Sequence, residues 1–437
     1  MSKIDDTIFA LTSGGLPAGV AVLRVSGQMA SSVIQTLTGS LPEARRASLR
    51  TIRNRNGQII DEGIVLLFPA PSSFTGEDCA ELQIHGGKAV VAALLEELSL
   101  FPQCRLAENG EFSRRAFDNG RIDLLEAEGL ADLLAAETEM QRRLAIEQSS
   151  GGLSDLYAGW AKRLTHGRAL IEAELDFADE GDIPGSVSDS VWADMQSLRD
   201  SLTQHLRGAA FGEIVRDGLK VAIAGPPNSG KSSLLNALAG RDVAIVTEIA
   251  GTTRDVLEVN LDINGYSVRL YDTAGIRATD DVVETEGVRR ALLTVETADI
   301  ILVLAEIGTS PDSFASVRGR QVKVGTMADR HEPSDDYDVC ISTHSGMGLG
   351  RLRNILKDEI DQRAGGLSLA VPARRRHRLL LEDALNHVAA AIDGISLGLD
   401  LRAERLRAAS QALGRITGHV DVEDLLGVIF SEFCVGK

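Results

Sequence analysis

Residues Gly225–Leu238 read GPPNSGKSSLLNAL, and the fold turns on that stretch. Gly225 is followed at fixed spacing by Gly230, Lys231 and Ser232, the pattern of a phosphate-binding loop. The apolar run LKVAIA (219–224) precedes it, and a segment with helical apolar spacing opens at Lys231. A strand, a tight loop and a helix start aim backbone N–H groups at one point, which suits a polyphosphate. Asn228, Ser229, Gly230, Lys231, Ser232 and Ser233 therefore form the candidate phosphate cradle. Lys231 reaches the β and γ oxygens, and the Ser232 hydroxyl is the expected Mg²⁺ ligand.

Three further stretches follow in the order that a guanine-nucleotide switch needs. GTTRD (251–255) supplies Thr253, expected to sense the γ-phosphate and to ligate Mg²⁺. DTAG (272–275) follows the strand-like SVRLYD. It places Asp272 behind the metal's ligands and, after Thr273 and Ala274, the Gly275 N–H near the γ-phosphate. TMAD (326–329) retains Asp329, which can accept charge-assisted hydrogen bonds from guanine N1–H and N2–H. Thr326 and Met327 stand where Asn and Lys are usual, so guanine is favoured over adenine but with reduced affinity. STHSG (342–346) is the expected base-side loop. Position 276, where many GTPases carry a water-orienting glutamine, is Ile276.

Around this core the chain has 437 residues, enough for two or three domains. Lys and Arg total 45 against 63 Asp and Glu, a net charge of −18, so contact with a polyanion needs a local basic patch or a basic partner. Aromatics are only 4%, which argues against a base-stacking platform. Cys79, Cys104, Cys340 and Cys434 are widely spaced with no CxxC, as suits a reducing compartment. With no signal-peptide pattern and no apolar run of about 18 residues, the expected location is the cytoplasm, away from membranes.

Residues 1–118 mix short β-like runs with helices, an α+β module. Long helical patterns fill 119–216, strands and helices alternate over 217–371, and helices return in 372–437. The expected class is a multidomain α/β protein with a P-loop domain inserted into a discontinuous helical domain. Two separate helical domains are the alternative, although the second half alone would bury little core. ARRRHR (373–378) is the densest basic run, and reads equally as an RNA contact or a solvated helix start.

The segments 225–259 and 272–291 resemble the TrmE–Era–Der family of GTPases. Residues 73–87 (SFTGEDCAELQIHGG), 109–133 and the terminal FCVGK (433–437) narrow the resemblance to its tRNA uridine-34 modification branch. It spans all three domains. It implies a Ras-like G domain and a folate-binding N-terminal domain that forms a homodimer. It also implies a heterotetramer with a FAD-dependent partner, MnmG (GidA), acting on the wobble uridine of certain tRNAs. The implied cofactors are GTP, Mg²⁺, K⁺ and 5,10-methylene- or 5-formyl-tetrahydrofolate. Asn228 would hold K⁺ together with Thr247, Ile249 and Thr252, within the loop that also contains Glu248, Ala250 and Gly251. Glu284 would position the attacking water. Folate contacts map to Arg24, Glu81, Arg121 and Lys437, with Arg121 replacing a usual lysine. Cys434 is a candidate participant in the tRNA chemistry. An Era- or Der-like switch for ribosome assembly is the alternative, although neither a KH-type GXXG context nor a second phosphate loop is present. A folate-dependent aminomethyltransferase acting on protein would leave the G domain unexplained.

Overall fold

The computed structural model describes residues 6–176, 187–240, 258–272, 296–310, 319–364 and 368–420, with Leu426, Ile429, Phe430, Phe433 and Gly436. Two units emerge, Met1–Ala131 with Gly414–Lys437, and Asp132–Leu413.

In the first unit, strands β1 (Thr7–Leu11), β2 (Ala18–Ser26), β3 (Ser48–Arg53), β4 (Ile59–Phe68), β5 (Cys79–Gly86) and β6 (Cys104–Leu106) form one sheet. Its order is β3-β4-β5-β2-β1-β6. Period-two alternation splits β2 cleanly. Ala21, Leu23 and Val25 enter a core with Val33, Ile34 and Leu37 of α1 (Ala30–Thr38) and Val91, Leu94 and Leu98 of α2 (Lys88–Ser99). Arg24 and Ser26 consequently face the other side. There Phe112 of α3 (Glu111–Asp118) packs with Ile8 and Ala10 of β1. The chain end returns to this unit: Leu426, Ile429, Phe430 and Phe433 cluster with Leu124 and Ala127 of α4 (Leu124–Ala135). Gly436, at φ +101°, lies so close to β1 that an added Cβ would sit 2.5 Å from the Leu11 carbonyl oxygen.

The second unit begins at Asp132, within α4, and continues with α5 (Glu139–Ser149). Within the long helical pattern of 119–216, residues 124–149 form two helices, with a break before α5. Thr138 caps α5 by accepting from the Gln141 N–H, and the Gln141 side chain accepts from the Thr138 N–H. This reciprocal capping box satisfies two helix-end donors that a continuous helix would not leave open, and so favours the break.

Helices α6 (Gly152–Asp176), α7 (Val187–Leu206) and α8 (Ala209–Asp217) precede the sheet, whereas α11 (Arg375–Asp393) and α12 (Leu399–Thr417) follow it. Helix α7 packs against both α6 and α11. Gly167 of α6 lies against Val191 and Met195 of α7 and Leu406 of α12. Chain on both sides of the sheet therefore builds one helical bundle, and the α/β element is inserted into it. Within this bundle the Tyr157 hydroxyl and His205 Nε2 are 2.9 Å apart, with the Trp160 ring edge-on to His205.

Burial holds the His205 imidazole down at about 4 against an ordinary 6.5. An unfolded chain takes up that proton near pH 6.5 and the folded one only near pH 4. The contribution is thus complete above pH 6.5 and falls through this window by up to about 3 kcal/mol. Thermal unfolding followed by tryptophan fluorescence at pH 7 and pH 4.5 should show a smaller drop in midpoint for His205→Gln than for the parent. Equal drops would remove this assignment.

The second sheet contains β7 (Leu219–Ala224), β8 (Glu258–Ile263), β9 (Tyr266–Asp272), β10 (Ile300–Glu306), β11 (Arg320–Thr326) and β12 (Val339–Cys340), in the order β12-β11-β10-β7-β9-β8. Among the described strands only β8 is antiparallel, hairpinned to β9. Strands β7 and β10 are almost wholly buried, as expected of central parallel strands covered on both faces. Helices α9 (Lys231–Ala239) and α10 (Leu349–Ala364) contribute Leu234, Leu238, Leu352 and Leu356 to that core. No helix among the described residues is long and apolar enough to cross a membrane.

Candidate functional site

β7 is one of the two central strands, and the chain leaves it at Gly225 and re-enters helix at Lys231. Gly225 has φ +152°, and an added Cβ would meet the Leu304 carbonyl oxygen of β10 at 2.3 Å. The loop thus runs directly over the neighbouring strand's backbone. Asn228 adopts φ +64°, a left-handed conformation that asparagine tolerates better than most residues. Its side chain lies on the exposed rim. Ser229 is buried, and its Oγ has no hydrogen-bond partner among the described residues. Lys231 Nζ donates to the carbonyls of Gly225 and Pro226, each at 2.8 Å. Desolvation lowers the pKa of this amine, and nearby Asp272 acts in the opposite direction.

Parallel pairing of Ile223 with Asp272 brings the end of β9 beside the start of α9. Ser232 Oγ donates to Asp272 Oδ2 at 3.2 Å, and Asp272 is buried. A hydroxyl beside a carboxylate is the hard-oxygen chemistry that Mg²⁺ selects. Thr326 ends β11, its Oγ1 donating to the Ala305 carbonyl at 3.2 Å while its methyl carbon lies 3.8 Å from an ideal Gly230 Cβ. It therefore touches both β10 and the phosphate loop. The Asp329 carboxylate accepts from Ser342, which lowers its pKa, and the Ala328 N–H donates to the Ile341 carbonyl at 3.0 Å. The sequences TMAD and STHSG are thereby joined into one wall. All these groups gather at the carboxyl ends of β7, β9, β10 and β11, where open α/β sheets bind ligands.

The arrangement fits a nucleoside triphosphate with its metal: a helix N-terminus, a glycine loop at strand-contact distance, a lysine, and a hydroxyl–carboxylate pair. Thr247, Glu248, Ile249, Ala250, Gly251, Thr252 and Thr253 lie outside the described residues, as do Thr273, Ala274, Gly275, Ile276 and Glu284. Cys434 and Lys437 also lie outside them.

On the first unit, Arg24 and Glu81 are cross-strand partners in β2 and β5. Arg24 Nε and Nη2 donate to Glu81 Oε1 at 3.1 and 2.9 Å. The guanidinium carbon lies 5.5 Å from the Phe74 ring centroid and 5.6 Å from that of Phe112. Arg121 reaches the same region, with its Cγ 3.2 Å from an ideal Cβ on Gly76. Sequence reasoning missed Phe74 and Phe112. Two aromatics 38 positions apart carry no signal of convergence until strand pairing and α3 bring them over Arg24.

The basic run 373–378 is largely committed internally. Arg374 pairs with Asp132 at 2.8 Å, Arg378 with Glu213 at 2.9 Å, and Arg376 Nη2 lies 3.1 Å from His377 Nε2.

Strand order, loop geometry and the Asp272 and Asp329 positions define a Ras-like P-loop GTPase domain set within a helical domain. The MnmE helical domain family matches residues 124–434, and the GTP-binding protein TrmE N-terminus family matches residues 7–121. The chain is 59% identical over 437 residues to the tRNA modification GTPase MnmE of Agrobacterium fabrum, covering 99% of each chain. Against the protein of the same description from Brucella anthropi it is 52% identical over 440 residues, covering 100% of this chain and 99% of the relative. The chain belongs to the MnmE (TrmE) family of GTPases.

An Asp329→Asn substitution should lower GTP affinity by tenfold or more, on the order of one lost charge-assisted hydrogen bond. The same change should raise affinity for xanthosine triphosphate, whose C2 oxygen accepts rather than donates. Competition binding checks this, and unchanged GTP affinity would remove Asp329 as base reader.

Proposed function

We propose that the chain is a GTP hydrolase that modifies C5 of the wobble uridine, position 34, of certain tRNAs. It would act as a homodimer joined to the FAD-dependent MnmG (GidA) in a heterotetramer, adding an aminomethyl or carboxymethylaminomethyl group. The observation that supports this most is the full-length likeness to tRNA modification GTPases, combined with a phosphate loop whose Ser232–Asp272 pair suits Mg²⁺.

In this reading the N–H groups of residues 228–233 hold the β and γ phosphates, and Lys231 exchanges its two loop carbonyls for phosphate oxygens. Ser232 and Thr253 are the residues that would hold Mg²⁺, which when bound would neutralise phosphate charge. Thr273, Ala274 and Gly275 are assigned to the γ-phosphate. Ile276 cannot orient water, so Glu284 is assigned that task. Asn228, with the carbonyls of Thr247, Ile249 and Thr252, is assigned to hold K⁺, which when bound supplies positive charge beside the β–γ bridge. Hydrolysis would then depend on two G domains meeting across the dimer.

Arg24, Glu81, Arg121 and Lys437 are assigned to 5,10-methylene- or 5-formyl-tetrahydrofolate, the methylene form serving as one-carbon donor. The Arg24–Glu81 pair leaves Arg24 Nη1 and Glu81 Oε2 outside their mutual hydrogen bonds, a donor beside an acceptor for a flat amide-bearing ring. Gly436 against β1 brings the chain end to the sheet that carries this pair, which supports a role there for Lys437 and neighbouring Cys434.

Mass spectrometry of wobble nucleosides from a deletion strain tests the whole reading. Loss of the C5 substituent is the expected result. Intact nucleosides with defective ribosome assembly would favour the Era- or Der-like alternative.

A further inference from the structure

The connection from β4 to β5, residues 69–78, is held by an unusual amount of buried charge. Glu77 turns inward from it. Its Oε2 accepts from Ser26 Oγ at 2.7 Å, and both carboxylate oxygens lie 3.1 Å from Arg115 Nη1. The Glu77 side chain is only 16% exposed and that of Arg115 8%, while Ser26 and Thr75 are fully buried. Arg115 is fixed in turn by the Asp6 carbonyl at 2.7 Å and by Glu111 at 3.1 Å. Glu111 is gripped by Arg105 at 2.6 and 2.8 Å. Asn119 Nδ2 donates to the Thr75 carbonyl at 2.7 Å, and the Ala70 N–H donates to Asp78 Oδ1 at 2.9 Å.

A buried ion pair is a poor source of stability, because desolvation offsets most of the attraction and well-packed apolar replacements are often neutral or better. What this network does is fix one segment in place. Three residues before Glu77, the Phe74 ring sits over the Arg24 guanidinium while remaining 37% exposed. One residue before Glu77, Gly76 lies against Asn119 and the Arg121 stem. A single inward carboxylate thus sets both the aromatic that flanks one arginine and the surface on which a second arginine lies.

We propose that Glu77, clamped by Ser26 and Arg115, is a positioning residue that holds the Phe74 ring and the Arg121 stem for a flat, anionic ligand. The inference rests on the folate reading, in which that ligand is a reduced folate. Glu77 itself touches no ligand. Converting it to neutral Gln keeps its size but weakens the Arg115 clamp, so the segment should loosen and the stacked ring should lose its fixed place.

The test is a double-mutant cycle in the full-length protein, with 5-formyl-tetrahydrofolate binding measured by calorimetry. Hydrogen exchange at amides 70–79 is measured in parallel. Glu77→Gln and Phe74→Leu should each lower affinity about tenfold, the scale of one aromatic–cation contact. The double variant should lose no more than the weaker-binding single one, because both act through the same ring. Amides 70–79 should exchange faster in Glu77→Gln. Losses that add, or unchanged affinity and exchange in Glu77→Gln, would overturn the proposal. If Glu77→Gln does not fold, Ser26→Ala takes its place, since it removes one hydrogen bond to the carboxylate without changing charge. A parent chain that fails to bind folate would sink the folate reading alone. Exchange at 70–79 would then decide whether Glu77 holds the segment.

Discussion

A Gly225→Val chain should bind GTP about a hundredfold more weakly than the parent, with its far-ultraviolet circular dichroism unchanged. Two effects combine at this position. The backbone sits at φ +152°, where an L side chain is strained by about 1–3 kcal/mol. The side chain would also begin 2.3 Å from the Leu304 carbonyl oxygen, a backbone atom of central strand β10 that cannot swing aside. The phosphate loop must therefore lift, and lifting it moves the N–H groups of residues 228–233 off the polyphosphate. Those bonds are directional, so the loss falls on nucleotide affinity rather than on the packed core beneath. Parent-like GTP affinity in this variant would mean that the loop is not the phosphate cradle.

Steady-state GTP hydrolysis should be about 10²–10³ faster in KCl than in NaCl, the scale of one transition-state charge contact. Asn228 occupies a left-handed turn on the exposed rim, and Lys231 is the only basic side chain within residues 225–233. On the proposed assignment, a cation held by Asn228 with the carbonyls of Thr247, Ile249 and Thr252 would be chosen by size, and Na⁺ would be too small to replace it. Asn228→Ala should reduce the difference between the two salts. Glu284→Ala should abolish turnover while retaining GTP binding, because its assigned task is to place water. Equal parental rates in both salts would remove the K⁺ assignment, and an active Glu284→Ala would remove the assignment of the water.

Local chemistry was legible wherever a residue's neighbours in sequence were also its neighbours in space. The phosphate loop is such a case: strand, glycine turn and helix are contiguous, so the pattern around GPPNSGKS announced a strand, a loop and a helix start at Lys231. The β-like runs of residues 1–118 likewise follow from local alternation, because the strand period is two. The split of 124–148 into α4 and α5 was less visible, since apolar periodicity continues through a break that the Thr138–Gln141 cap decides.

Other features depended on contacts between distant segments, which spacing does not encode. Pairing of Ile223 with Asp272 delivers that carboxylate to Ser232, forty positions away. Internal acids claim Arg374 and Arg378 from a run that reads in sequence as freely basic. Phe74, Phe112 and Glu81 meet around Arg24 only because β2 lies beside β5 and α3 closes over that face. The sequence by itself determined which chemistry each segment carries, because hydrogen-bonding groups and local periodicity belong to the chain. Tertiary structure alone decided which of those groups are paired, buried or left for a ligand, because pairing depends on strand register and helix packing across long sequence separations.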